Sequence, residues 1–122
     1  MITIGVVYLP RFIFLLGDIM TNEQYIWNYL MKKIKNPYGV AGLMGNLMAE
    51  SSLRANNLQD SINKYRSITD EEYTTMVDND TYTNFINDKA GYGLAQWTFW
   101  SRKEKLYNYL KSNNLSIGNR DG

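Results

Sequence analysis

The chain has 122 residues, of which 44% are hydrophobic and 20% are charged, and this composition is typical of one globular domain. Its net charge of +1 gives no sign of a nucleic-acid-binding surface, so we expect no nucleic-acid partner. The chain has neither cysteine nor histidine, which excludes disulfides, a thiolate nucleophile, a Ser-His or Cys-His pair and a zinc site with those ligands. Acid–base chemistry would therefore use carboxylates, lysine or tyrosine, and no metal or cofactor is expected.

Residues 1–19 are strongly apolar and differ in composition from the rest of the chain. Pro10 and Arg11 interrupt a stretch that is already short, so we expect no stable membrane insertion. The segment also lacks the basic start and small-residue cleavage site of a signal peptide. Two interpretations stay open: an extension upstream of a natural start at Met20, or a short element that packs on the domain. Either way, the predicted domain covers residues 20–122.

The predicted elements after Met20 are mainly helical, because no segment there alternates convincingly with a period of two residues. Capping patterns at Thr21, Thr69 and Ser101 predict three helix starts, and Asn36-Pro37 predicts the end of the first helix. A second helix is expected over about 38–53, a loop with one helical turn over 54–68, and short helices over about 70–77 and 81–88.

The second predicted helix carries the first candidate catalytic residue, Glu50. Val40, Leu43, Met44 and Leu47 form an apolar arc, while Gly42, Gly45 and Ala49 form a face of small residues. Such a helix is expected to be buried, with another backbone close to the small face. Glu50 lies about 20° around the helix from Leu43. Burial and the negative helix end would both favour its protonated form, which a general acid needs. Alternatively, the helix simply ends there, with Glu50 in solvent or paired with Arg54.

A second candidate is the stretch AGYGLAQWTFW, residues 90–100. Gly91 and Gly93 permit a tight turn, and Gln96 can both donate and accept hydrogen bonds to sugar groups. Tyr92 and Trp97 offer flat faces for sugar rings, although any one of these aromatics could equally belong to the core.

These residues carry a resemblance. Glu-Ser in GNLMAESSL and Gly-Leu-x-Gln in GYGLAQWT resemble two motifs of the goose-type lysozyme and lytic transglycosylase superfamily. The closer match is the phage tail-type lysozyme domain of phage endolysins and tail-tip lysins, whose members look like YIxNYL…GxxGNxxxES…NPxxxQ…GYGLxQWT…R. This chain has YIWNYL, GLMGNLMAESSL, NNLQ and GYGLAQWTFWSRK, over about Asn22 to Gly118. The family's Asn-Pro is here Ala55-Asn56.

The resemblance implies a mainly α, lysozyme-like domain whose central helix carries the catalytic Glu50, followed by a supporting Ser51. It implies a glycan groove lined by Gly93, Leu94, Gln96 and Trp97. We expect two further binding residues: Tyr92, for its flat ring, and Gln59, which matches a glutamine that recurs in the family. It also implies a C-terminal part that this chain lacks. Among the acidic residues between the two motifs, we expect Asp88 to be the second carboxylate if one is used.

The implied function is cleavage of the MurNAc-GlcNAc backbone of peptidoglycan, either as a muramidase or as a lytic transglycosylase, in which one glutamate suffices. The protein would be phage-encoded and act at the bacterial wall, from the virion tail or after release from the host cytoplasm. Full-length relatives would add a wall-binding or peptidase domain. The alternative function is a non-catalytic peptidoglycan-binding or structural module of a phage tail.

Overall fold

The computed structural model describes residues 20–122, so both interpretations of residues 1–19 lie outside the described part. Within residues 20–122 there are five α-helices, and the β pairing there consists of isolated bridges. The helices are α1 Asn22–Ile34, α2 Pro37–Ser51, α3 Asp60–Arg66, α4 Asp70–Asp78 and α5 Trp100–Ser112. The predicted mainly α fold is confirmed.

The described residues divide into two compact units, one that ends at Ala41 and one that covers residues 42–122. In the first unit, α1 begins with the predicted capping box: Thr21 Oγ1 accepts a hydrogen bond from the Gln24 N–H at 3.2 Å, and Gln24 Oε1 accepts one from the Thr21 N–H at 3.4 Å. The helix ends at Lys35, whose φ of 60° is left-handed. The Asn36 side chain then accepts hydrogen bonds from the Tyr38 and Gly39 N–H groups at the start of α2. Both predicted boundaries of α1 are therefore confirmed.

The second unit is built around an aromatic core. Tyr73 of α4 is fully buried, and its ring centroid lies 5.5 Å from that of Tyr92 and 6.2 Å from that of Phe85. Leu110 brings α5 against this cluster, and Leu58 brings in the segment before α3. The core thus joins α4, α5 and the segment before α3 to the turn that contains Tyr92.

A buried ion pair also stabilises the turn that contains Tyr92. Lys103 of α5 has no exposed side-chain surface, and its ammonium group donates to Asp88 Oδ1 and, at 2.8 Å, to the Ala90 carbonyl. Asp88 also accepts hydrogen bonds from the hydroxyls of Tyr73 and Tyr82 and from the Ala90 N–H. Burial raises the pKa of Asp88, but these donors outweigh it and hold that pKa below its ordinary value.

Two predicted elements differ from the structure. Residues 60–66 form a seven-residue helix where a loop with one turn was predicted, and residues 80–88 form turns where a short helix was predicted. Asp80 has a left-handed φ of 63°, and the Thr81 hydroxyl bonds to Asn79 and to the Met76 carbonyl. Helix α5 begins at Trp100, with no side-chain cap at Phe99, so the capping box predicted at Ser101 is wrong.

The predicted burial of α2 is also wrong. Over residues 40–51 only Val40, Met44 and Ser51 are buried, and most of the others are exposed. A Cβ added at Gly42 or Gly45 would meet no atom within 4 Å outside the helix's own backbone, so among residues 20–122 no other backbone approaches these two positions. An apolar composition predicts burial only where neighbouring elements reach every side of the helix.

No helix among the described residues is both long enough and apolar enough to cross a membrane.

Candidate active site

Glu50 lies on the last turn of α2 and is exposed. Neither ion pair found within residues 20–122 involves it. The next residue, Ser51, is buried, and its hydroxyl donates to the Leu47 carbonyl at 3.0 Å. The prediction that Glu50 is desolvated is therefore wrong, because the helix that carries it is itself largely exposed.

The chain reverses sharply directly after α2. Ser52 and Leu53 both adopt left-handed conformations, with φ of 53° and 60°, which is uncommon for two successive residues that are not glycine. Arg54 comes next and pairs with Asp70 rather than with Glu50. Asp70 also accepts a hydrogen bond from the Leu58 N–H at 3.1 Å. Arg54 is therefore engaged with Asp70, and neither ion pair within residues 20–122 joins it to Glu50.

The stretch after Ala90 is a tight turn closed by two backbone hydrogen bonds between Tyr92 and Trp97, of 3.2 and 3.0 Å. Gly93 has a φ of 85°, a conformation that favours glycine. Gln96 is left-handed as well, with a φ of 52°.

The hydrogen bonds of the Gln96 side chain fix the orientation of its amide group. Its Nε2 donates to the Asn57 carbonyl at 2.7 Å and to the Gly93 carbonyl at 3.0 Å. Two carbonyl oxygens can be satisfied only by the NH₂ end, so the O and N ends of the amide are distinguishable. Both amide protons are used, and the group left to meet a ligand is the acceptor Oε1. Gln96 can therefore accept from a hydroxyl or an amide N–H, but it cannot donate.

Gln59 clamps this turn. Its backbone N–H donates to the Gly91 carbonyl at 2.8 Å, and its Oε1 accepts from the Gly91 N–H at 3.0 Å. A Cβ on Gly91 would lie 3.0 Å from Gln96 Oε1 and 3.2 Å from Gln59 Oε1, which is tighter than ordinary van der Waals contact. The glycine therefore lets both glutamine side chains approach the turn.

A cavity of about 430 Å³ brings these elements together. Of the ten residues that line it, only Ala49 is apolar. The polar ones are Glu50, Ser51, Ser52, Arg54, Asn57, Gln59, Asp60, Ser61 and Gln96. Such a wall offers hydrogen-bond donors, acceptors and charges, which suits a polyhydroxylated ligand better than an apolar one. No group of three or more acidic side chains that could hold a metal ion occurs among the described residues.

The structure brings four of the predicted site residues to this cavity: Glu50, Ser51, Gln59 and Gln96. It does not bring Asp88 there, since that carboxylate is buried against Lys103. Tyr92 is fully buried in the core, and its hydroxyl is bonded to Thr74, so its ring has no face free for a sugar.

The other predicted turn residues, Gly93, Leu94 and Trp97, are buried or half-buried and do not line the cavity. The Arg102 guanidinium lies over the Trp97 ring, 5.1 Å from its centroid. The turn therefore reaches the cavity through Gln96.

Sequence reasoning did not assign the cavity residues between the two motifs. Asn57 and Ser61 were not singled out, Asp60 was one acidic residue among several, and Arg54 was considered only as a partner of Glu50. Asn57, Asp60 and Ser61 share one feature of the sequence: they surround Gln59 in the stretch NNLQDS, which lies just after the Glu-Ser motif.

The comparisons with known proteins agree with the resemblance seen in the sequence. No curated protein and no solved structure matches the chain. The model of one family, described as phage tail lysozyme, matches residues 21–122. That range contains the Glu-Ser helix, the Gln59 clamp and the Gly-rich turn, and the family implies a phage-encoded protein with a lytic role on peptidoglycan. From Thr21 to its last residue, this chain belongs to the phage tail lysozyme family.

Proposed function

We propose that this chain cleaves the MurNAc-GlcNAc backbone of peptidoglycan, with Glu50 as the general acid. The observation that carries the proposal is the meeting of Glu50 and Gln96 in one cavity, although the two residues are far apart in the sequence. Glu50 has no ion-pair partner among residues 20–122, so its carboxyl group is free to exchange a proton with a ligand.

The composition of the cavity supports a glycan as the ligand. Its lining is polar almost throughout and contains no aromatic residue. Sugar hydroxyl and acetamido groups can match such a wall, and Gln96 Oε1 would accept one of their protons. Recognition would then depend on hydrogen bonds rather than on the ring stacking that the aromatic residues of the turn predicted.

In the proposed reaction, Glu50 protonates the glycosidic oxygen as the bond to C1 of MurNAc breaks. Because Glu50 is exposed in the free protein, the bound glycan itself must exclude water from the carboxyl group. Ser51 supports the helix end, since its hydroxyl is bonded to the Leu47 carbonyl. The bond at C1 is then completed by water in a muramidase, or by the 6-hydroxyl of the sugar in a lytic transglycosylase.

We also propose that residues 20–122 form the catalytic domain, because the family match begins at residue 21. Its substrate would be the wall glycan, reached from the virion tail or after release from the host cytoplasm. The apolar residues 1–19 would then take no part in the chemistry.

The decisive test compares the full chain with Glu50→Gln on purified peptidoglycan, with soluble products identified by mass spectrometry. We expect the wild-type chain to release muropeptides and Glu50→Gln to release at least about 100-fold less, the contribution of one general acid. Glu50→Gln should keep the melting temperature, since the side chain is exposed. Full activity in Glu50→Gln would refute the assignment. Wall binding without release by either protein would identify a non-catalytic module.

A further inference from the structure

We propose that Asp60 is the second carboxylate of this site and acts as the general base that activates water, so that the enzyme is an inverting muramidase rather than a lytic transglycosylase. The inference rests on the function proposed for Glu50. Its starting point is that Asp60 lines the same cavity as Glu50.

The other acidic residues between the two motifs are excluded by their contacts or by their position. They are Asp70, Glu71, Glu72, Asp78, Asp80 and Asp88. None of them lines the cavity. Asp70 is bound by Arg54, Asp88 by Lys103, and Asp78 by the Ser116 hydroxyl and the Ile117 N–H.

Glu72 is also engaged, because its carboxylate accepts the Thr69 N–H in the capping box of α4. Asp60 differs from these four carboxylates. Within residues 20–122 it has neither a hydrogen-bond partner nor an ion-pair partner for its side chain. It is exposed, so its carboxylate is available to a water molecule in the cavity.

The backbone of Asp60 is well positioned for this role. Asp60 is the first residue of α3, between Gln59, which is clamped to Gly91, and Ser61, whose hydroxyl accepts a hydrogen bond from Gln59 Nε2 at 2.8 Å. The Gln59 carbonyl in turn accepts from the Ile62 N–H at 2.9 Å. The clamp therefore ties the residue that carries the base to the same turn that carries Gln96.

The size of the cavity suits two carboxylates with a water molecule between them. A cavity of about 430 Å³ has room for several water molecules, and inverting glycosidases place a water molecule between carboxyl groups that are roughly 6.5–9.5 Å apart. Retaining enzymes need only about 5 Å, because their second carboxylate attacks the sugar directly.

In the proposed step, Asp60 accepts a proton from water while the water oxygen forms a bond to C1 of MurNAc on the face opposite the leaving group. The bond from C1 to the glycosidic oxygen breaks, and Glu50 gives its proton to that oxygen. The products are a reducing MurNAc end of inverted configuration and a free 4-hydroxyl on GlcNAc. Proton exchange with solvent then restores both carboxyl groups.

The test uses the full chain and three variants: Asp60→Asn, Glu50→Gln and Glu71→Gln. Glu71 is the matched control, because it is also an exposed acid in the first turn of a short helix but does not line the cavity. We expect Asp60→Asn to lower kcat at least about 100-fold with little change in KM or melting temperature. Glu71→Gln should stay within about twofold of the wild type.

A chemical readout separates a base from a structural residue. Asp60→Ala in the presence of azide should regain turnover and form a glycosyl azide of inverted configuration, since azide needs no base. In wild-type reactions in H₂¹⁸O, we expect the label on the new reducing end and no 1,6-anhydro ends.

Loss of activity in Glu50→Gln together with retention in Asp60→Asn would overturn the role of Asp60 alone. Anhydro ends from the wild type would do the same. An inactive wild type, or an active Glu50→Gln, would instead overturn the proposed function of the site.

Discussion

Replacing Lys103 by methionine would remove the cation from the ion pair that holds the Gly-rich turn. The Lys103 side chain has no exposed surface, and that of Asp88 is 1% exposed. Methionine fills a similar volume, so the main change is electrostatic: a buried carboxylate loses its counter-ion. Its remaining donors would be the hydroxyls of Tyr73 and Tyr82 and the Ala90 N–H.

The expected cost is about 3–5 kcal/mol in the free energy of unfolding, the range for breaking a buried ion pair by removing one partner. That is a large part of the roughly 5–15 kcal/mol that stabilises a typical domain. The loss should fall when Asp88 is made neutral as well, because an asparagine amide carries no charge. Lys103→Met with Asp88→Asn should therefore be more stable than Lys103→Met alone.

Urea unfolding monitored by tryptophan fluorescence would measure these differences, since the chain has three tryptophans. Lys105→Met is the control, because Lys105 is exposed on the same helix and should change stability by less than about 0.5 kcal/mol. A loss below about 1 kcal/mol in Lys103→Met, or a double variant less stable than the single one, would refute the idea that the pair neutralises a buried charge.

Helix α2 and Asp88 each allow a further prediction. Gly42→Ala and Gly45→Ala should each stabilise the protein by about 0.5–1 kcal/mol, because both sites are open and alanine is the better helix former; a lower melting temperature in either variant would reveal a neighbour at that face. The lowered pKa of Asp88 means that its contribution to stability is complete above the unfolded pKa of about 4 and is lost as the pH falls through the folded pKa. Stability measured from pH 5 to pH 2 should therefore fall more steeply in the wild type than in Asp88→Asn, and equal slopes would contradict the assignment.

Local signals predicted local structure well. The capping boxes at Thr21 and Thr69 each join residues three apart, and both are present. The same pattern at Ser101 forms no cap, because α5 already begins at Trp100. The helix predicted over 81–88 fails because its residues make contacts beyond their neighbours. Asp88 is bound by Tyr73 and Lys103, each 15 positions away in the sequence.

For the site, the two sequence motifs identified Glu50 and Gln96, and both residues line one cavity in the structure. The orientation of the Gln96 amide could not be predicted from the sequence, because it depends on a hydrogen bond to the Asn57 carbonyl in another segment of the chain. Nor could composition decide the environment of Tyr92. A tyrosine between two glycines fits a sugar platform and a core position equally well, and it lies in the core.

The sequence by itself determined the mainly helical fold, the acidic residue at the end of α2, the glycines of the turn and the exclusion of thiol and histidine chemistry. These features depend on residue identity and on short spacings along the chain. Only the tertiary structure decided that α2 is exposed, that Asp88 belongs to a buried ion pair and that Asp60 shares a cavity with Glu50. The reason is that the burial of a side chain and its ion-pair partner depend on which segments are in contact in the folded protein. Local sequence patterns do not specify contacts between distant segments.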